Sequence, residues 1–408
     1  MKLVEKHIIK KNHKYYKELD HICFLSKNLY NSTLYTVRQH YFETHTYMNY
    51  YAVNKLFTEN KQVDYCALPR KVGKLVQQLV DKNFKSFFSL LKLTKSEKHN
   101  KSINIPKYLD KIKGRQVVTY TQQALSFKHC GYVKLSGTNI EIKTNKQNVK
   151  FVRVVPKNGY IVIEVGYELE AIPVLSNNNK YASIDLGINN LATVTSNIHN
   201  PIIISGNPLK SINQYYNKQA AYYKSILQTV NNQFTSKRLE SLGRIRNNKI
   251  TDYMHKASKF VVNHLVSNNI NTLVIGYNKG WKQDTSMNDK SNQNFVQIPF
   301  LKFVRMIEYK CQLKGIAVIT QEESYTSKCS FINKDYIPTY GIDDNLFKPT
   351  GKRVHRGLYR NYNGTYINAD VNGSYNILRK YLTSKAAWNE NLFSDCVEVC
   401  STPLVKLF

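Results

Sequence analysis

The first ten residues alternate. In KLVEKHIIK apolar and polar positions trade places along the chain, which predicts a half-buried strand over 1–10. From 15 to 50 the period lengthens, with Phe24, Leu25, Leu29 and Tyr30 near one face of a helix. The clearest helix is predicted over 69–93, with Pro69 in its first turn. Val72, Leu75, Val76, Leu79, Val80, Phe84, Phe87, Phe88 and Leu91 keep three-four spacing and make one apolar stripe. Lys71, Lys74, Lys82, Lys85 and Lys92 are left for its other surfaces: a solvated face, and one able to meet RNA. After the loop TKSEKHNKSINIPK come short segments rich in Val, Ile, Thr and Tyr: RQVVTYTQ, GYVKLSG, NIEIKT, VKFVRVVPK and GYIVIEVGYE. Gly, Asn and Pro divide them, as in a small antiparallel barrel.

Residues 1–14 and 101–178 therefore read as a barrel, interrupted by a helical insertion at 15–100. PVLSNNNK (173–180) is the polar joint to a second domain, 179–408. There YASIDLGINNLATVTS reads as strand, tight turn, strand. A long polar helical region follows over 207–240. A further helix sets Ile250, Met254, Ala257, Val261 and Leu265 on one side. NTLVIGYN is expected as a buried strand, and the next helix starts near Pro299 and stops at Gly315. IAVITQEE is expected as another buried strand, and ADVNGSYNILRKYL as a helix led by an aspartate. Strands alternating with helices predict an α/β layer, so the whole chain is α+β and multidomain.

Charge changes this picture. The 408 residues carry 59 Lys+Arg against 28 Asp+Glu, a net charge of +31 spread along the chain. A long basic surface points to nucleic acid, although a lysine-rich genome would give the same excess. The 30 Tyr and 17 Phe among the lysines favour the first reading. Rings stack on bases while cations pair with phosphates, though many of these rings must be core. No apolar run reaches the roughly 18 residues of a membrane span. The start, MKLVEKHIIKKNHK, lacks the apolar stretch of a signal peptide. Seven cysteines without regular pairing fit a reducing cytoplasm. Cys396 and Cys400 on one helix face supply at most half a zinc site.

Against so basic a background, acids at the ends of apolar strands stand out. Asp185 sits in ASIDLG before a Gly turn, Glu323 closes IAVITQEE, and Asp370 opens the last helix. Each has a plain reading: a turn cap, a surface strand end, a helix N-cap. An unpaired buried carboxylate costs several kcal/mol. Three of them are tolerable if they converge on a cation such as Mg²⁺, which prefers hard oxygen ligands. Their order, strand-Asp-turn-strand, strand-Glu, Asp-helix, fits a metal nuclease.

At these residues the chain resembles the TnpB-like RNA-guided nucleases of insertion sequences, relatives of the type V CRISPR effectors. The segments carrying the likeness include SKNLYN (26–31), KNFKSFF (82–88), SIDLGINNLATV (183–194), DYMHKASKFVV (252–262), VIGYNKGWKQ (274–283), NQNFVQIPF (292–300), EESYTSK (322–328), RGLYRNYNG (356–364) and INADVNGSYNIL (367–378). The resemblance implies a wedge barrel with a helical recognition insertion, then an RNase H-like (RuvC) domain. It implies a guide RNA from the element's own end and a double-stranded DNA target beside a short flanking motif. It also implies a prokaryotic, cytoplasmic, nucleoid-associated protein, one chain per RNA, with a dimer left open. Asp185 matches the first RuvC aspartate and Asp370 the third. The family usually carries its glutamate at the end of TLVIG, where this chain has Gly276. Some relatives place it three residues before the Thr-Ser-Lys of the next motif, which here is Glu323. Glu322 is the less favoured substitute, because in an extended segment it faces the other way.

Zinc is the second departure. Relatives carry two CxxC pairs between the last two motifs, whereas 324–369 holds only Cys329 and His355. Four ligands cannot be assembled, so a zinc-free loop is expected. Lys352, Arg353, Arg356 and Arg360, with Tyr359 and Tyr362, leave that loop able to contact nucleic acid or simply solvated. Trp281 and Lys282 are placed to touch a heteroduplex, with core as the alternative for Trp281. His255 reads as a packing residue and Lys256 as a phosphate contact. Tyr325, Ser327 and Lys328 read as positioning a strand. The expectation is a metal-dependent endodeoxyribonuclease using two Mg²⁺, with Mn²⁺ as a substitute, held by Asp185, Glu323 and Asp370. Its rivals are a nuclease-inactive guided repressor and a strand-transfer transposase.

Overall fold

The computed structural model describes residues 1–96, 103–170, 172–278, 289–355, 357–393 and 403–408. Trp281, Lys282, Arg356, Cys396 and Cys400 lie outside the described residues. The chain divides into two compact units, Met1–Glu170 and Ala171–Phe408. The polar joint is pinned to the second unit: Leu175 N–H donates to Gly315 O, and Asn178 Nδ2 donates to Asn269 O.

The first unit runs β1 (Lys2–Lys10), α1 (Tyr16–Thr44), α2 (Tyr50–Glu59), α3 (Val63–Cys66), α4 (Arg70–Ser96), β2 (Val118–Thr121), β3 (Leu125–Ser126), β4 (Tyr132–Leu135), β5 (Glu141–Lys143), β6 (Val149–Lys157) and β7 (Tyr160–Glu168). The strands form two antiparallel sheets, β1-β7-β6-β2 and β3-β4-β5. Pairing among the described residues does not join them into one ring. The expected helix over 15–50 is α1, ended at Thr44 by His45 at φ 54°. In α4 the predicted stripe is the packed one: Val72, Val76, Val80 and Phe84 are buried in one core with Leu19, Leu29 and Leu34 of α1. Pro69 sits just before α4, its carbonyl accepting from Val72 and Gly73 N–H.

The second unit runs β8 (Tyr181–Leu186), β9 (Asn190–Ser196), β10 (Ile202–Ser205), α5 (Asn207–Asn231), α6 (Lys237–Ser267), β11 (Thr272–Gly276), α7 (Asp289–Gln297), α8 (Phe300–Gln312), β12 (Ala317–Gln321), β13 (Lys352–His355), β14 (Leu358–Arg360), β15 (Tyr366–Asn368), α9 (Ala369–Ser384) and β16 (Leu404–Lys406). Six strands make one sheet in the order β12-β11-β8-β9-β10-β16. β8, β9 and β10 pair antiparallel in sequence, and β11 and β12 extend the sheet parallel beside β8. β13-β14-β15 is a separate small sheet. One face of the large sheet packs on α6 and α8, the other on α9.

Two expectations need correction. IAVITQEE is not a buried strand: β12 is a sheet edge with only β11 beside it, and its residues are half-buried or exposed. The polar helix over 207–240 breaks at Asn232, φ 48°, and Ser236 caps a new helix by accepting from Leu239 N–H. No helix among the described residues is long and apolar enough to cross a membrane.

Candidate active site

β8 sends alternate side chains to opposite faces. Ala182, Ile184 and Leu186 enter the core shared with α6 and α8, while Tyr181, Ser183 and Asp185 face α9. Buried hydroxyls fix α9 there. Ser183 Oγ donates to Ser374 O at 2.7 Å, and Ser374 Oγ donates to Thr193 O at 3.0 Å. Gly373 permits the close approach, since a Cβ there would stand 3.0 Å from Asp185 Oδ2.

Asp370 lies in the first turn of α9, where the helix dipole favours negative charge. The cap is Asn368, whose side chain accepts from Asp370 and Val371 N–H. The Asp370 carboxylate accepts from Asn190 Nδ2 at 2.7 Å and from the Arg353 guanidinium at 3.1 Å.

Glu323 follows β12 and turns its carboxylate beneath the end of β11. A Cβ on Gly276 would stand 2.7 Å from Glu323 Oε2 and 2.5 Å from Ile377 Cδ1. Only glycine leaves that slot open. Glu323 Oε2 is buried and has no hydrogen-bond partner among the described residues. Burial, and then the charge of Glu322, push this carboxyl up to about 7. Glu322 itself faces away, paired with the buried Lys380 Nζ at 2.5 Å. Burial raises its carboxyl, but Lys380 and Ser324 outweigh that and hold it below the usual range. Asp185 is raised well above the usual range by burial, then by Glu323 and Asp370, with Arg353 opposing.

Three acids remote in sequence thus share one field. Among the described residues, no three His, Cys, Asp or Glu are drawn together tightly enough to form a finished metal shell. Asp370 is instead turned to Asn190 and Arg353. The donor set still fits a hard divalent cation, being carboxylate oxygens of which one has no proton donor of its own.

The remaining sequence candidates are spread over both units. In the first, Lys71, Lys82 and Lys85 are exposed and Lys74 is half-buried; Lys85 pairs with Asp81 at 2.7 Å. In the second, Lys256 pairs with Asp252 at 2.9 Å, and Arg353 and Arg360 are exposed. Ser327 and Lys328 are exposed. Tyr325, at φ 66°, donates to Asp344 Oδ1 and stacks near Phe347. Tyr359, expected on a nucleic-acid loop, is core: it is fully buried and donates to Lys328 O, while Tyr362 is exposed.

Sequence reasoning missed the amides that hold the site. Asn372 Oδ1 accepts from Phe331 N–H and its Nδ2 donates to Cys329 O; Asn376 donates to Thr326 O and Cys329 O. Asp335 accepts from Ser330 and Thr350 N–H, and the thiol of Cys329 donates to Tyr336 O. The signal was a polar run, NGSYN, inside a helix whose neighbours are apolar.

Two family models match this chain: OrfB_IS605, a probable transposase, over residues 164–282, and the Cas12f1-like TNB domain over 300–377. Over these two segments the chain is similar to TnpB-like proteins and to the type V effectors. The TnpB-like protein ORF457 of Acidianus two-tailed virus is 25% identical over 422 aligned positions, covering 89% of this chain and 83% of that protein. A CRISPR-associated endodeoxyribonuclease, Cas12f2 of Micrarchaeota archaeon (strain CG1_02_47_40), is 27% identical over 263 residues. That match covers 59% of this chain and 45% of Cas12f2, so the chain spans under half of that relative. Among solved structures, the Cas12f1-sgRNA-target DNA complex aligns over 92% of this chain and 98% of that one, at 13% identity and TM-score 0.34. The mini-RNA-guided endonuclease CRISPR-Cas_phi3 aligns over 93% and 92%, at 10% identity and TM-score 0.44. Scores so low carry no weight beside the sequence matches.

Proposed function

We propose that this chain is an RNA-guided, metal-dependent DNA endonuclease whose acids are Asp185, Glu323 and Asp370. One observation carries the reading: the Glu323 carboxylate fills the space at Gly276, in the field of Asp185, with a buried oxygen that has no partner among the described residues. A protein with no use for that oxygen would gain by satisfying it. The sheet order, with β8, β9 and β10 antiparallel and β11 and β12 parallel, supports an RNase H-like reading of the second unit. The first unit is read as the wedge with its recognition helices.

Mg²⁺ held by the three acids would supply charge neutralisation at the scissile phosphate and an activated water. Asn190 orients Asp370, and the Gly276 slot orients Glu323. Arg353 holds a positive charge beside Asp370 that would pass to a phosphate oxygen as a strand arrives. Lys380 restrains Glu322 on the far side, so the neighbouring acid does not compete. The named relatives include an endodeoxyribonuclease and a TnpB-like protein, which supports the substrate class. Guide pairing would read sequence, with the protein holding backbone and a short flanking motif. One guide RNA from the element's own end would serve one chain.

The test is plasmid cleavage with copurified RNA, a randomised flank and Mg²⁺ or Mn²⁺. Asp185→Ala is expected to reduce cutting to background while RNA still copurifies. Undiminished cutting by that variant would remove the assignment.

A further inference from the structure

α5 leaves the sheet from β10, at the strand-end edge level with Asp185 on β8. Lys210 Nζ donates to Asn189 Oδ1 at 2.6 Å, and the neighbouring Asn190 holds Asp370. Tyr253 of α6 donates to Ser205 O at that same edge. Of α5 only Leu209 belongs to the buried core, and α6 joins it from Ile250 onward. Between those points the α5–α6 hairpin rests on α7, where Asn217 and Gln297 exchange amide hydrogen bonds and Arg246 donates to Gln297 O.

This hairpin is aromatic and basic. Between 207 and 249 there are eight Lys and Arg against one acid, Glu240. Tyr215 is 63% exposed, Tyr222 60% and Phe234 71%, so these rings are not core. Ile212, Tyr215, Tyr216, Ile245, Arg246 and Lys249 line a cleft of about 270 Å³ between the helices. Arg246 is fixed at its floor, donating to Asn213 Oδ1 at 2.7 Å with its guanidinium 5.3 Å from the Tyr216 ring. Tyr215 and Tyr216 lie five and six residues past Lys210, about 8–9 Å along the helix.

We propose that this cleft is a subsite for the single DNA strand led to the acids, taking one unpaired base against Tyr215 while Lys249 meets the adjoining phosphate. This rests on the endonuclease reading and adds to it the place where the strand is gripped. Stacking on an exposed ring is indifferent to base identity, as a strand chosen by a guide requires. A second copy of the chain is disfavoured, because it would set the same excess of positive charge against itself. Closeness to the acids favours the strand to be cut over the guide RNA.

The experiment uses the full chain carrying Asp185→Ala, so that binding is read without cutting. A labelled oligothymidylate bearing 5-iododeoxyuridine should photocrosslink within the cleft. Tyr215→Ala should weaken its binding on the order of ten-fold. Tyr215→Phe should retain binding, and Lys249→Ala should flatten its salt dependence. Equal affinity of Tyr215→Ala and its parent for the oligonucleotide would overturn the subsite. So would a crosslink from the copurified RNA and none from DNA, or loss of a dimer on substitution. If Asp185→Ala alone still cuts, the acid assignment fails whatever the crosslink shows.

Discussion

At the residue scale, two adjacent glutamates have opposite environments. Glu323 is raised to about 7 and Glu322 is held low by Lys380. In metal-free protein the unfolded Glu323 releases its proton near 4.5 and the folded one only near 7. The folded state therefore binds the extra proton in between, and stability from this group falls as pH rises through that window. Above it, Glu323→Gln should raise the melting temperature of metal-free protein while abolishing cutting. Glu322→Gln should keep cutting but lose about 1–2 kcal/mol, because Lys380 is left with a weaker partner and Glu322 is partly solvated. Thermal melts at pH 8, beside cleavage assays, separate the two; loss of cutting in both alike would defeat the distinction. Mg²⁺ should stabilise the parent more than Glu323→Gln.

At the element scale, α9 shows what a sequence reveals and what it hides. Its helical period and leading aspartate are plain in ADVNGSYNIL, as were the strand of Asp185 and the stripe of α4. The partners of Asn372 and Asn376 lie more than forty residues away, at Cys329 and Thr326, so nothing local marks those amides as structural. For the same reason β12 looked buried: its apolar residues read alike at an edge and in the centre. Gly276 read as a missing acid, since the carboxylate that occupies its space belongs to another strand. Asn372→Ala leaves Phe331 N–H unpaired in the core and takes from Cys329 O one of the donors it shares with Asn376, and should cost about 1–3 kcal/mol. A melting temperature within a degree of the parent would refute that account. Asn190→Ala, by contrast, should spare stability and slow cutting, since its side-chain amide donates to the Asp370 carboxylate.

At the scale of the whole molecule, each buried cluster lies within one unit: one in Met1–Glu170, two in Ala171–Phe408. The second unit expressed alone should therefore melt cooperatively, as calorimetry would show; a broad, featureless transition would contradict the division. The net charge of +31 predicts binding driven by release of counterions. Affinity for RNA should drop by about 10³ or more between about 50 mM and 200 mM salt. A shallow salt response would mean that most of the lysines meet no phosphate.

The slot at Gly276 bears on how such chains are compared. Positions 276 and 323 are 47 residues apart, yet their strands run side by side in register, Gly276 opposite Gln321. Because a Cβ at 276 would stand 2.7 Å from Glu323 Oε2, a side chain at 276 and the buried Glu323 carboxylate exclude one another. Column-by-column alignment at position 276 would register only a glycine, and not the carboxylate that Glu323 brings beside it.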